Sequence, residues 1–270
     1  MRIPLFAALA CFVALALLAF FALHVPAAHQ PDATLLHSFM SFERTRLREP
    51  LLFIVSLGDP VPYAFAGLCL CAVALARGRP WRAAAVAALF VVTGAATQIA
   101  KHLLATPRFD AFLERADGQI GAAAFPSGHA TAAMTVALCA VLVAPRAWRT
   151  VAVVAGWAFA AGMGYALLVL SQHYPSDVLG GYLMAGMWTS LALAALHAIE
   201  RGPAAIRPWR PDRDLAIGVI GGATVCALLV LWAQRSVFTL FPADRPTLAV
   251  GAMAIAALAG ALAATLARAA

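Results

Sequence analysis

Charge is scarce in this chain, and lysine is almost missing. Charged residues fill 11% of the 270 positions against 63% hydrophobic ones, with a mean hydropathy of +0.87. A soluble domain carries about a quarter charged residues, so the shortage excludes a soluble globular fold. Cysteine is sparse as well. Cys11, Cys69, Cys71, Cys139 and Cys226 all lie inside apolar runs, where they act as small hydrophobes, and their spacing forms neither a disulfide framework nor a metal-binding pair. The short alternating segments of a membrane barrel are lacking. No spare cluster of carboxylates, or of His and Cys, is left to hold a divalent metal, so no metal and no other cofactor is expected. The net charge of +7 does not point to nucleic acid. Every basic residue except Lys101 is arginine, and most stand at the ends of apolar runs instead of on one polar face.

What is present is a series of apolar runs long enough to cross a bilayer, at about residues 3–25, 56–76, 83–104, 127–145, 150–171, 177–199, 214–234 and 247–267. Backbone polar groups in hydrocarbon need partners within their own segment, so these runs are read as helices and the fold class as all-α, a polytopic membrane helix bundle. The first run, with Arg2 ahead of it and Val25-Pro26-Ala27 behind, has some features of a signal peptide, but its length favours a retained span. Arginines sort by side. With a cytoplasmic N-terminus, the inner segments hold Arg2, Arg77, Arg79, Arg82, Arg146, Arg149, Arg201, Arg207, Arg210, Arg213 and Arg268 against only Glu200, Asp212 and Asp214. That asymmetry puts both termini in the cytoplasm. Between about 28 and 50, Leu35, Leu36, Phe39, Met40 and Phe42 recur at near-helical spacing, as in a short helix lying at the outer interface.

Three polar clusters interrupt the apolar pattern, all at outer ends of spans: Lys101 to Phe109, Phe125 to Thr131, and Ser171 to Asp177. Lys101 offers a point charge and Arg108 a planar fork, a pair suited to a phosphate. Pro126-Ser127-Gly128-His129 opens a helix whose unpaired amides at Ser127, Gly128 and His129 can face an anion, and Gly128 lets it approach the backbone. His173 and Asp177 are four apart at a helix start, so the carboxylate can hold one imidazole nitrogen and leave the other free to attack. His129 is then the proton donor to the departing oxygen. Each cluster also has a plainer reading. Lys101 and Arg108 could be snorkelling anchors, Ser127 a helix cap, and Asp177 an N-cap in a local turn. Asp59, in Gly58-Asp59-Pro60, reads first as a helix N-cap, with a place on the pocket rim as the alternative. Gly180 and Gly181 read as close-packing positions.

Together the clusters resemble the type 2 phosphatidic acid phosphatase/haloperoxidase superfamily, whose pattern is a lysine, six residues and arginine-proline; Pro-Ser-Gly-His; and serine-arginine, five residues, histidine, three residues, aspartate. Lys101 with Arg108, Pro126 to His129, and His173 with Asp177 fit that pattern in order. The resemblance implies a phosphatase core over residues 50–200, which the first span completes to the family's six helices, with an N-terminal span and outer segment at 1–49 and an Arg-rich loop with two added spans at 201–270. It further implies a phosphohistidine on His173 oriented by Asp177, leaving-group protonation by His129, and phosphate binding by Lys101, Arg108, Ser127 and Gly128. Two positions depart from the pattern. Phe109 replaces the proline after the arginine, and Ala166 and Leu167 stand where the third motif has serine and arginine. His102, Gln172 and Arg115 are candidates to supply the missing group.

The expected activity is metal-independent hydrolysis of a lipid phosphate or pyrophosphate drawn from the bilayer. Candidate substrates are undecaprenyl pyrophosphate, phosphatidic acid, phosphatidylglycerol phosphate or a lipid A phosphate. The site would lie on the periplasmic or extracellular side of the plasma (inner) membrane. Transfer of the phosphoryl group to another acceptor, and a weakened or non-enzymatic membrane protein lacking the third-motif arginine, remain the alternatives. No nucleic-acid partner is expected, and oligomeric state is left open.

Overall fold

The computed structural model describes residues 2–40, 48–107, 120–201, 254–255 and 257–262. Among them the regular elements are helices, without a strand: α1 (Arg2–His24), α2 (Pro26–Met40), α3 (Arg48–Ser56), α4 (Pro60–Ala76), α5 (Pro80–Leu103), α6 (Gly128–Val143), a single 3-10 turn at Arg146–Trp148, α7 (Arg149–Val169) and α8 (Pro175–Arg201). The protein is an all-α membrane helix bundle. Four helices are long and apolar enough to cross a membrane: Arg2–His24, Pro80–Leu103, Arg146–Val169 and Pro175–Glu200. The outer helices keep large apolar side chains uncovered, among them Phe6 and Phe12 on α1, Phe65 and Leu68 on α4, and Val91 and Ile99 on α5. Water would penalise such a surface and lipid does not.

The second expected span, 56–76, corresponds to α4, which starts four residues later and is preceded by a separate short helix, α3. α3 ends at Ser56, α4 begins at Pro60, and their axes bend by 56°. The cause is local. Asp59 precedes a proline and takes an extended conformation (φ −63°, ψ 156°), as the ring of the next residue demands. Pro60 and Pro62 then lack the amides that would continue a helix from below. The fourth expected span is shorter than predicted. α6 has 16 residues, about 24 Å of rise against about 30 Å of hydrocarbon. It is apolar on all sides because nearly every residue from Ala130 to Val143 is buried among its neighbours. The seventh span, 214–234, lies outside the described residues. Of the eighth, 254–255 and 257–262 are helical.

Small residues set the spacing of the bundle. A Cβ on Gly156 of α7 would stand 3.0 Å from the Ala137 Cβ of α6, and one on Gly67 of α4 would stand 2.6 Å from the Phe90 ring of α5. Hydroxyls bridge the same helices: Tyr63 Oη pairs with Thr93 Oγ1 at 3.2 Å, Thr93 with Thr135 at 3.3 Å, and Thr97 with Thr131 at 3.3 Å. The far end of α6 is closed by arginines from the turn between α4 and α5. Arg77 donates to the Val143 carbonyl, and Arg82 donates to the Leu142 carbonyl at 2.8 Å while meeting Glu200 at 3.2 Å. The expected interfacial helix exists as α2, but it does not lie with its apolar face open. Leu36 and Phe39 are fully buried, and Phe39 meets Tyr165 of α7 edge-on at 5.6 Å. The protein itself covers that face.

Candidate active site

The site is assembled where α8 and α6 begin and α5 ends. α8 starts at Pro175 with Asp177 in its first turn, a position where the helix dipole favours a negative charge. Asp177 is fully buried. One carboxylate oxygen, Oδ2, accepts the Tyr174 amide at 3.0 Å and faces Nδ1 of His173 at 3.3 Å. A carboxylate has no proton to give, so the hydrogen sits on Nδ1 and the Nε2 lone pair is free. The chain reaches this point through Ser171, whose φ of 55° makes the sharp turn out of α7. From a distant helix, Asp32 of α2 caps the same start: its Oδ1 accepts the Ser176 amide at 3.0 Å and its Oδ2 accepts the Ser176 hydroxyl at 2.6 Å.

Two glycines bring α6 alongside. A Cβ on Gly181 would lie 2.7 Å from the Ser127 carbonyl oxygen and 2.9 Å from the Thr131 nitrogen, and one on Gly180 would lie 2.7 Å from the Phe125 ring. Both are close-packing positions, as their place after Asp177 predicts. At that separation the Ser127 amide donates to the Asp177 carbonyl at 2.9 Å. This corrects one expectation. A buried amide needs a partner, so the Ser127 N–H is committed to α8 and does not face an anion. The hydroxyl of Ser127 is also engaged, accepting the Ala130 amide at 3.3 Å as the helix cap. Ser127 thus fastens the cradle together. The amides of Gly128 and His129, in the first turn, have no carbonyl four residues behind them within the helix.

Lys101 arrives from the last turn of α5, whose exit is tied to the segment before α6 by the Thr106 amide donating to the Ala122 carbonyl at 3.1 Å. Its Nζ stands 3.9 Å from where a Gly128 Cβ would be, so the ammonium sits over the bare backbone that opens α6. Lys101 and Asp177 interact electrostatically, and so do His129 and both His173 and Lys101. Three helix ends far apart in sequence therefore share one polar pocket.

Asp59 occupies the N-cap position of α4 without a side-chain cap bond. Its Oδ1 instead lies 3.3 Å from Nε2 of His129. The Gly58-Asp59-Pro60 signal marked the position, and only the fold reveals the partner. Asp32 carried no signal at all. Ala166 and Leu167 are both fully buried in the apolar core, so hydrocarbon fills the place of the third-motif serine and arginine. Among the substitutes, His102 turns its Nδ1 to the Gln98 carbonyl of its own helix at 2.7 Å. Arg108 and Arg115 lie outside the described residues. Among the described residues no three of His, Cys, Asp and Glu gather as a metal-holding group.

Two histidine–carboxylate pairs thus stand beside a lysine at the start of α6. Residues 80–201 match the family model described as the PAP2 superfamily. No curated protein and no solved structure matches the chain. The matched stretch runs from α5 to α8 and carries Lys101, Pro126 to His129, and His173 to Asp177. The match agrees with the resemblance read from the motifs and suggests activity of the phosphatase/haloperoxidase type.

Proposed function

We propose that the protein is a membrane phosphatase that removes phosphate, or cleaves pyrophosphate, from a lipid through a phosphohistidine on His173. Nε2 of His173 attacks phosphorus, and the bond to the ester oxygen breaks as that oxygen takes a proton from His129. Water then attacks phosphorus, giving its proton back to His129, and phosphate leaves with His173 restored. Lys101, the amides of Gly128 and His129, and Arg108 stabilise the charge on the phosphoryl oxygens, without a metal. The observation that carries this reading is the bond from the Ser127 amide to the Asp177 carbonyl. It locks the carboxylate that orients the nucleophile to the helix start that binds the anion.

The pocket stands at the opposite end of α6 from Arg77 and Arg82. By the positive-inside rule that end is the outer one, which favours the periplasmic or extracellular face of the plasma membrane. The apolar helices around it favour a substrate whose tail stays in lipid. Phosphate release from a panel of lipid phosphates in liposomes, with chelator present, tests the reading. Release is expected with wild-type protein and is lost in His173→Ala. Retained activity in His173→Ala removes the nucleophile, and a rate abolished by chelator removes the metal-free mechanism. Adding an alcohol acceptor separates hydrolysis from transfer. The buried Leu167 favours a second reading, a weakened catalyst, which predicts no release from any lipid in the panel.

A further inference from the structure

Asp59 lies outside the segment that matches the superfamily, yet it touches a residue at the centre of the proposed chemistry. We infer that Asp59 is a positioning residue whose carboxylate holds Nε2 of His129, so that the proton given to the leaving oxygen departs from Nδ1. The inference rests on the function proposed above.

The geometry has three parts. First, Asp59 Oδ1 and His129 Nε2 are 3.3 Å apart. The carboxylate accepts, so Nε2 carries the hydrogen, and in the imidazolium the remaining N–H, on Nδ1, is the one available to transfer. Second, the ring is pinned from beneath. A Cβ on Gly58 would lie 2.7 Å from His129 Cδ2 and 3.2 Å from Met163 Cε, so the imidazole rests directly on glycine backbone at the bend between α3 and α4. Third, Asp59 is released from its ordinary duty. An N-cap side chain bonds the amide two or three residues on; at the third residue, Pro62, there is no amide, and the Asp59 carboxylate makes no cap bond to the Val61 amide two residues on. The Tyr63 amide is taken by the Asp59 carbonyl at 3.0 Å. The same prolines that break the helix leave the carboxylate free to reach across to α6.

The charges fit this role. His129 feels the positive charge of Lys101, and Asp59 supplies the opposite sign. The proton donor is thereby held by its own carboxylate, separate from the one that serves the nucleophile. Bond making and breaking are those of the first step above: Nδ1–H breaks, the leaving oxygen gains that proton, and the Nε2–H bond to Asp59 persists throughout.

The test compares two substrates in detergent-solubilised full-length protein. A short-chain alkyl phosphate needs its leaving oxygen protonated, and p-nitrophenyl phosphate does not. Asp59→Asn is expected to lower kcat on the alkyl phosphate by about 10- to 100-fold, within the range for losing part of general-acid catalysis. KM and the p-nitrophenyl phosphate rate are expected to stay within about 3-fold, a change too small to count against the roughly 100-fold scale of acid catalysis. In a His129→Ala background the same substitution is expected to cost nothing more, and Asp59→Glu is expected to recover part of the loss. Equal losses on both substrates, or a further loss in the His129→Ala background, overturn the assignment of Asp59 alone. Full activity of His173→Ala overturns the proposed function and the role of Asp59 with it.

Discussion

The two histidine–carboxylate pairs use the same side chains under opposite conditions. His173 and Asp177 are four residues apart, with side chains only 11% and 0% exposed, and the carboxylate also accepts the Tyr174 amide. His129 and Asp59 come from different helices, with side chains 32% and 54% exposed, and their contact depends on a glycine beneath the ring. The difference matches the two tasks proposed for His173 and His129. A nucleophile needs one lone pair held in one direction, and burial with redundant hydrogen bonds achieves that. A proton donor must be recharged every cycle, so it has to stay within reach of water. The buried pair is built into a single turn of chain, whereas the open pair exists only when α4 and α6 are both in place.

Substitutions can be ranked by how they break that comparison. Removing the nucleophile in His173→Ala is expected to lower phosphate release by on the order of 10⁴-fold, measured on the best lipid of the panel in liposomes. Loss of orientation alone, in Asp177→Asn, is expected to cost about 10²- to 10³-fold in kcat with the protein still inserted and folded, a smaller loss than that of the nucleophile itself. A rate equal to wild type would mean that the buried carboxylate is merely structural. Forcing the pairs apart comes next. Gly181→Val puts carbon against the Ser127 carbonyl and the Thr131 nitrogen, backbone atoms that cannot yield. The expected destabilisation is about 1–3 kcal/mol, read by thermal unfolding in detergent, together with reduced activity. Gly162→Ala is the control, since its Cβ would meet nothing within 4 Å. The smallest effect is expected from Ser176→Ala. It removes one hydrogen bond to Asp32 and loosens only the buried pair's helix, at a cost of about 1 kcal/mol. Unchanged melting there would show that the hydroxyl bond to Asp32 adds nothing beyond the amide bond that remains.

Legibility in the sequence follows the same division. The pair at the start of α8 could be read directly, because four residues across a helix start keep His173, in the turn before it, within reach of Asp177 in the first helical turn. The opening of α6 at Pro126 to His129 was equally legible, since proline, serine and glycine each have a positional meaning at a helix start. Long-range partners were not. Asp32 lies 144 positions from Ser176, and nothing in either neighbourhood mentions the other. Asp59 was noticed for its proline context, but the side chain's choice between capping α4 and reaching His129 depends on where α6 stands. The Ser127 amide was expected to be free because a helix start taken alone leaves it free, and the approach of α8 at Gly181 changes that. Apolar content likewise located helices better than it described their form. The break at Gly58-Asp59-Pro60 and the 16-residue length of α6 are set by backbone chemistry that a hydropathy window averages away.

The arginines at the end of α6 give this helix an unequal electrical finish. Buried along nearly all of its length, it keeps its macrodipole poorly screened. Arg77 and Arg82 serve as permanent counter-ions for the carbonyl terminus, while at the amide terminus, beside Lys101, the described carboxylates Asp177 and Asp59 are each paired with a histidine. An oxyanion in the pocket completes the charge pattern of the fold itself. Occupancy is thus expected to register as heat resistance, with phosphate or vanadate at a hundred times its dissociation constant adding about 2.7 kcal/mol.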